Sequence, residues 1–191
     1  MTILETDRLV MRPWRVGNMD DAEALFRYAS NPKVGPAAAW PAHRSVEESA
    51  VIIRDVFSAP ETYAVTLRTT GEPVGSIGLT PLSDIAAACG DGTHNALELG
   101  YWIGEPFWGQ GLIPEAGREL LRHGFADLGL AAIWGTHDVD NAQSARVMDK
   151  LGLRLIHIQR HVHLDLLGDV YRDEAIRRIT RGEWESYVSR P

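Results

Sequence analysis

Residues 107–115 of this chain read FWGQGLIPE, directly after the apolar run LELGYWIG. Gly109 and Gly111 allow a positive φ or the close approach of a bulky group. A helix that begins near Leu112 offers unpaired N–H groups and the positive end of its dipole. Together these make an anion site that needs no lysine. Pro114 loses nothing in a first turn, where its missing N–H has no acceptor, and Glu115 suits the dipole there. A plain strand-to-helix turn uses the same residues, so G-x-G alone does not separate the two readings. A P-loop is excluded, because it requires Gly-Lys-Ser/Thr. A dinucleotide fingerprint wants a third glycine where Pro114 stands, although Asp138 supplies the acid that such a site prefers at the end of its next strand. That fold opens with repeated βαβ units, whereas this chain reaches its glycines after two helices and a strand meander.

Proton chemistry has several candidates. Glu98 is the lone acid in the strand 97–103 and is the first choice as general base; the alternative is an outward-facing strand residue. His137 and Asp138, closing the next strand, stand in reserve, with the imidazole titrating in the useful range. Asn141 is a helix N-cap candidate and Ser144 lies one turn further on. His157, His161 and His163 share a parity on the strand expected over 153–165, with Asp165 behind them. Equal parity places side chains on one face, the arrangement a metal needs; a solvated or substrate-lining face is the reading taken, and no metal is expected.

The elements that must hold these groups follow from periodicity and punctuation. Residues 8–15 read as a strand with Pro13 near an edge. Asn18 caps a helix with Asp20 and Asp21 in its first turn and Ala22, Leu25, Phe26 and Ala29 as its buried stripe. Ser45 to Glu48 is a capping box before a second helix through Phe57. Residues 63–67 and 73–82 form a hairpin, and 83–95 an exposed loop. Then come a strand 97–103, a helix 112–128, a strand 131–137, a helix 141–151, strands 153–165 and 170–179, and a final turn of helix capped at Thr180. The order β α α β β β α β α β β α predicts one α/β domain over 1–191.

The chain has 191 residues, 45% hydrophobic and 24% charged, which suits a soluble globular domain. Its charge, 19 basic minus 26 acidic residues, is −7, which argues against nucleic acid held by bulk charge. Cys89 is the single cysteine, so no internal disulfide forms. The start MTILETDRL lacks an apolar signal region, and no run reaches the ~20 apolar residues of a membrane span. A cytoplasmic protein, monomer or homodimer, without membrane or nucleic-acid partners, is expected.

ELGYWIGEPFWGQGLIPEA and DVDNAQSARVMDKLGLRLI together resemble the GNAT superfamily of N-acetyltransferases, in its ribosomal-protein N-acetyltransferase-like branch. The opening LETDRLVMRPW, the hairpin YAVTLRTTGEPVGSIGL and the closing ITRGEW are similar to that branch as well. The resemblance implies a mixed, mostly antiparallel sheet flanked by helices and splayed between strands 97–103 and 131–137. It implies that acetyl-coenzyme A lays its pyrophosphate on the amides of Gly109, Gln110, Gly111, Leu112 and Ile113, beside Trp108. Its pantetheine arm would pair with the strand through Tyr101, Trp102 and Ile103, much as a peptide adds to a sheet edge. Asn141 and Ser144 would hold or face the coenzyme. Many members carry a Tyr seven residues after that Asn to protonate the thiolate; Met148 stands here and cannot donate, so Ser144 is the natural substitute. Arg146 and Lys150 read as a solvated helix face. The implied reaction is acetyl transfer to a primary amine, a peptide N-terminus or a small molecule, by direct attack. A non-catalytic acyl-coenzyme A sensor or scaffold on the same fold is the alternative.

Overall fold

The computed structural model describes residues 2–90 and 94–189. Strands β1 (Leu4–Glu5) and β2 (Leu9–Pro13) precede helices α1 (Met19–Ala29) and α2 (Val46–Ile52). A hairpin of β3 (Thr62–Leu67) and β4 (Pro73–Thr80) leads to a short α3 (Asp84–Ala88) and to β5 (Ala96–Ile103). Then follow α4 (Leu112–Arg122), β6 (Ala132–Asp138), α5 (Ala142–Lys150), β7 (Arg154–His163), β8 (Tyr171–Thr180) and α6 (Arg181–Val188). The eight strands form one α/β sheet in the order β1-β2-β3-β4-β5-β6-β8-β7. The β1–β2, β2–β3, β3–β4, β6–β8 and β7–β8 pairs are antiparallel. β5 and β6 are parallel, and their ladder covers Ala96–Ala132, Leu97–Ile133 and Glu98–Trp134, although β5 continues to Ile103 and β6 to Asp138. Among the described residues no helix is long and apolar enough to cross a membrane.

The chain divides into two compact units, residues 1–78 with 101–119 and residues 79–100 with 120–191. In the first, Trp14, Leu25, Val34, Ile53 and Trp102 are among the buried side chains of one cluster. Its strands approach closely at Gly75, where a Cβ would stand 2.4 Å from the Trp102 carbonyl oxygen, so no larger residue fits. Asn18 Oδ1 accepts from the Asp21 amide at 2.9 Å, as expected of an N-cap. Asp21 does more than favour the helix dipole. It is wholly buried and holds Arg12 at 2.7 Å and Arg15 at 2.6 Å. Burial pushes its carboxyl up, yet the hydrogen bonds from the two guanidiniums outweigh that and bring it down to about 2. At α2 the expected box does not close. Ser45 caps Glu48 at 3.1 Å, but the Glu48 carboxylate accepts from the Arg44 amide, one residue too early.

In the second unit, Met148 of α5 lies on Gly135 of β6, where a Cβ would meet its Cε at 2.9 Å. Phe125 stacks on Trp184, ring centroids 5.2 Å apart. Thr180 and Glu183 form a complete capping box at α6. Residues 83–95 are not simply an exposed loop: they carry α3, whose Ala86 is buried against Ala132, Trp134 and Ile176. Small apolar residues (IAAA) conceal a helix there, because short side chains give only a faint stripe; residues 91–93 lie outside the described residues. The single helix expected over 112–128 ends at Arg122 and continues as a π-type turn, His123–Asp127.

Candidate active site

In the first unit the glycine turn has the backbone that its sequence requires. Gly109 and Gly111 both sit at φ +75°, where a side chain is strained. A Cβ on Gly109 would meet nothing within 4 Å, and one on Gly111 only the Arg8 guanidinium at 3.8 Å. The first helical bond of α4 runs from the Glu115 amide to the Gly111 carbonyl at 3.1 Å. Among the described residues, no main-chain acceptor takes the N–H groups of Gly109, Gln110, Gly111, Leu112 or Ile113. Open space beside two left-handed glycines, with unspent amides at a helix start, fits a diphosphate. Ile113 is buried and does not crowd this surface.

The turn is braced from behind. Trp108 Nε1 donates to the Ile103 carbonyl at 2.9 Å, tying the end of β5 to the turn. Its indole N–H is therefore engaged within the protein. Arg8 donates to the Gln110 carbonyl at 3.1 Å and through Nε to Glu115 at 2.6 Å, and Thr6 Oγ1 donates to Glu115 at 2.5 Å. Burial pushes the Glu115 carboxyl up, but the Thr6 and Arg8 bonds outweigh it and hold it below its ordinary value. Arg8 brings positive charge beside the turn from 107 positions away, a contact that no local pattern announces. Trp102 is buried and packs edge-on against Trp40 at 5.9 Å, with its Nε1 unpartnered among the described residues. Tyr101 and Ile103 are half-buried.

In the second unit Glu98 does not face outward. It is 8% exposed. Its Oε2 accepts from the Ser83 amide at 2.8 Å and its Oε1 from Thr136 Oγ1 at 2.7 Å. Two donors keep the carboxylate oriented while leaving lone pairs for a further proton. Sequence reading missed both donors; Thr136 had a signal, since it shares parity with Asp138 at the end of the same strand. His137 follows Thr136 and so leaves the sheet on the opposite face. It is buried, with Nδ1–H donating to the Asp138 carbonyl at 2.7 Å and Nε2 accepting from Arg177 Nε at 3.0 Å. Burial is the main cause that lowers its pKa, and the Arg177 charge adds to it. The result is a neutral imidazole with both nitrogens committed. Asn141 caps α5 through the Ser144 amide at 3.0 Å, and Ser144 is half-buried in that first turn. Met148 is 1% exposed and serves the core. His157 does not share a face with His163, because a register shift falls between Gln159 and Val162. His161 and His163 instead pack on Tyr171, at 4.3 and 4.9 Å. Among the described residues no group of three or more His, Cys, Asp or Glu is placed to hold a metal ion.

The chain has known counterparts. A family model described as acetyltransferase (GNAT) domain matches residues 8–154. The chain belongs to the GNAT acetyltransferase family. YoaA, an uncharacterized N-acetyltransferase of Bacillus subtilis (strain 168), is 29% identical over 157 residues, spanning 80% of this chain and 82% of that protein. Among solved structures, a GNAT-family acetyltransferase from Bacillus anthracis matches with a TM-score of 0.80 at 22% identity, covering 95% of this chain and 99% of its own. Ribosomal-protein-S5-alanine acetyltransferase from Vibrio fischeri matches at 0.68 and 15%, covering 96% and 99%. At such identities these structures establish a shared fold. The GNAT domain and its named relatives make the protein an N-acetyltransferase.

Proposed function

We propose that this GNAT protein, a single catalytic domain of the ribosomal-protein N-acetyltransferase-like branch, transfers the acetyl group of acetyl-coenzyme A to a primary amine by direct attack. The observation that carries the reading is the pair of left-handed glycines with unspent amides opening α4. Those amides, from Gly109 to Ile113, take the pyrophosphate, with Arg8 beside them. The residues of β5 beyond the ladder to β6, Tyr101, Trp102 and Ile103, run along the pantetheine arm, and Asn141 and Ser144 meet the coenzyme from α5.

Glu98 acts as the base, directly or through one water. It takes a proton from the acceptor ammonium; the amine nitrogen attacks the thioester carbon; the C–S bond breaks and the amide forms. The departing thiolate takes a proton from Ser144, which recovers the second proton lost by the attacking nitrogen as the amide forms, and Glu98 releases the first to solvent. Strand N–H groups polarise the carbonyl, and alignment of the two partners lowers much of the barrier. His137 receives no proton-transfer step, because its acceptor lone pair already binds Arg177 and it sits on the other face from Thr136 and Glu98. Its role is to fix the end of β6.

Release of free thiol from acetyl-coenzyme A with a panel of amines and peptides tests the reading. Turnover is expected on at least one of them, and Glu98→Gln should lower kcat by roughly a hundredfold or more, the usual worth of a general base. Ser144→Ala should lower kcat with little change in the KM for amine. Unchanged kcat in both variants would remove these assignments.

A further inference from the structure

The face of the second unit that carries Glu98 carries another buried acid. Glu174 of β8 stands opposite Asp138 of β6 in the antiparallel register, so both side chains leave the sheet on one side. Thr136, two residues before Asp138, reaches Glu98 from that same side. Glu174 is 4% exposed. Its Oε1 accepts from Arg172 Nε at 2.6 Å, while its Oε2 is buried with no donor among the described residues. Buried polar atoms are nearly always paired, and an unpaired carboxylate oxygen calls for a specific reason. Nearby, Ser83 Oγ, whose own amide serves Glu98, is also buried without a partner among the described residues. Ile176 and Trp134 give this face apolar walls and α3 packs over them. Burial raises the Glu174 carboxyl, and the charges of Asp138 and Glu98 add to it. A carboxylate meant for structure alone would be expected to recruit a second donor; one meant for an incoming donor keeps an oxygen open.

We propose that Glu174 binds a second, cationic N–H group of the acceptor while Glu98 takes the proton from the reacting one, so that the preferred acceptor is a primary amine with a second ammonium or amidinium group. The inference rests on the acetyl-transfer reading above. The division of labour follows from the chemistry. An anion fixed on the reacting nitrogen would favour its charged form and oppose attack, so the two carboxylates serve different nitrogens. The Glu98 carboxylate lies at Thr136 and Glu174 beside Asp138, two residues further along the strand, which is about 7 Å at the rise of a β-strand. A chain of about four methylenes between two nitrogens spans a comparable length.

The test uses the full chain with saturating acetyl-coenzyme A and compares 1,4-diaminobutane, agmatine and butylamine in the wild type and in Glu174→Gln. The amide keeps the shape and the acceptor for Arg172, and thermal unfolding checks that the variant is folded. The wild type should prefer both dications over butylamine in kcat/KM by roughly ten- to a hundredfold, the worth of one hydrogen bond to a charged group. Glu174→Gln should abolish that preference, raising KM for the two dications far more than for butylamine. Equal kcat/KM for dications and butylamine in the wild type overturns the proposal, as does an equal loss on all three in the variant. Absence of thiol release on every amine overturns the acetyl-transfer reading instead. Calorimetric titration of 1,4-diaminobutane then decides for Glu174: binding lost in Glu174→Gln supports it, and no binding to the wild type overturns it.

Discussion

Replacing Gly109 by alanine separates the two explanations of the glycine turn. Gly109 sits at φ +75° with no atom within 4 Å of an added Cβ. The protein itself therefore offers no clash, and the intrinsic cost is the left-handed backbone, about 1–2 kcal/mol for a residue with a side chain. In a domain of this size 1 kcal/mol lowers Tm by roughly 2–4 °C, so a fall of roughly 2–8 °C is expected. Gly17 is a matched control, at φ +77° and equally open. Gly17→Ala should lose the same stability. Coenzyme binding tells them apart. If diphosphate lies on the turn, the new methyl occupies its approach and costs at least one charge-assisted hydrogen bond, about 1.5–3 kcal/mol. That corresponds to a Kd for coenzyme A raised by roughly ten- to a hundredfold, whereas Gly17→Ala should leave Kd unchanged. Differential scanning calorimetry and isothermal titration calorimetry on the two variants give both numbers. Equal Kd in Gly109→Ala and wild type would refute the cradle and leave the plain turn. An equal weakening in both variants would show that softening of the first unit, and not lost contact, controls affinity.

Asp21 sets an acid limit on stability. Its folded pKa is lowered to about 2 from the ordinary 3.8, so its contribution is complete above about pH 4 and is lost as pH falls toward 2. The shift is worth roughly 2.5 kcal/mol. Asp21→Asn should therefore destabilise by a similar amount at neutral pH and flatten the acid limb of a Tm-versus-pH curve; a limb as steep as that of the wild type would assign it to other carboxylates. Asn141→Ala should cost about 1 kcal/mol through loss of the α5 cap, read as a Tm decrease. Asn141→Asp retains a capping oxygen, so a raised KM for acetyl-coenzyme A in that variant reports a direct contact, and an unchanged KM confines Asn141 to capping.

What the chain discloses in advance and what it withholds divide along a physical line. Features fixed by backbone chemistry within a few residues were legible. The Asn18, Asn141 and Thr180 caps lie where side-chain oxygens sit three residues before an amide that needs them, and Gly109 and Gly111 take the left-handed backbone that costs any residue with a side chain. Strand order was less accessible, because register depends on partners distant in sequence. The bulge between Gln159 and Val162, which breaks the parity of His157 with His163, shows how one inserted residue cancels a face assignment. Charge was least legible of all. Asp21, read from its first-turn position as a partner of the helix dipole, is buried because two arginines on the preceding segment reach it. Glu115 and Arg8 meet across 107 positions. Glu98 and Glu174 become neighbours only because β6 lies between their strands, with Thr136 and Asp138 on the shared face. Periodicity can tell that an acid lies in a strand. Whether it is solvated, paired or left with an oxygen for a ligand is set by the strands beside it, and that difference separates a surface residue from one that can bind an amine.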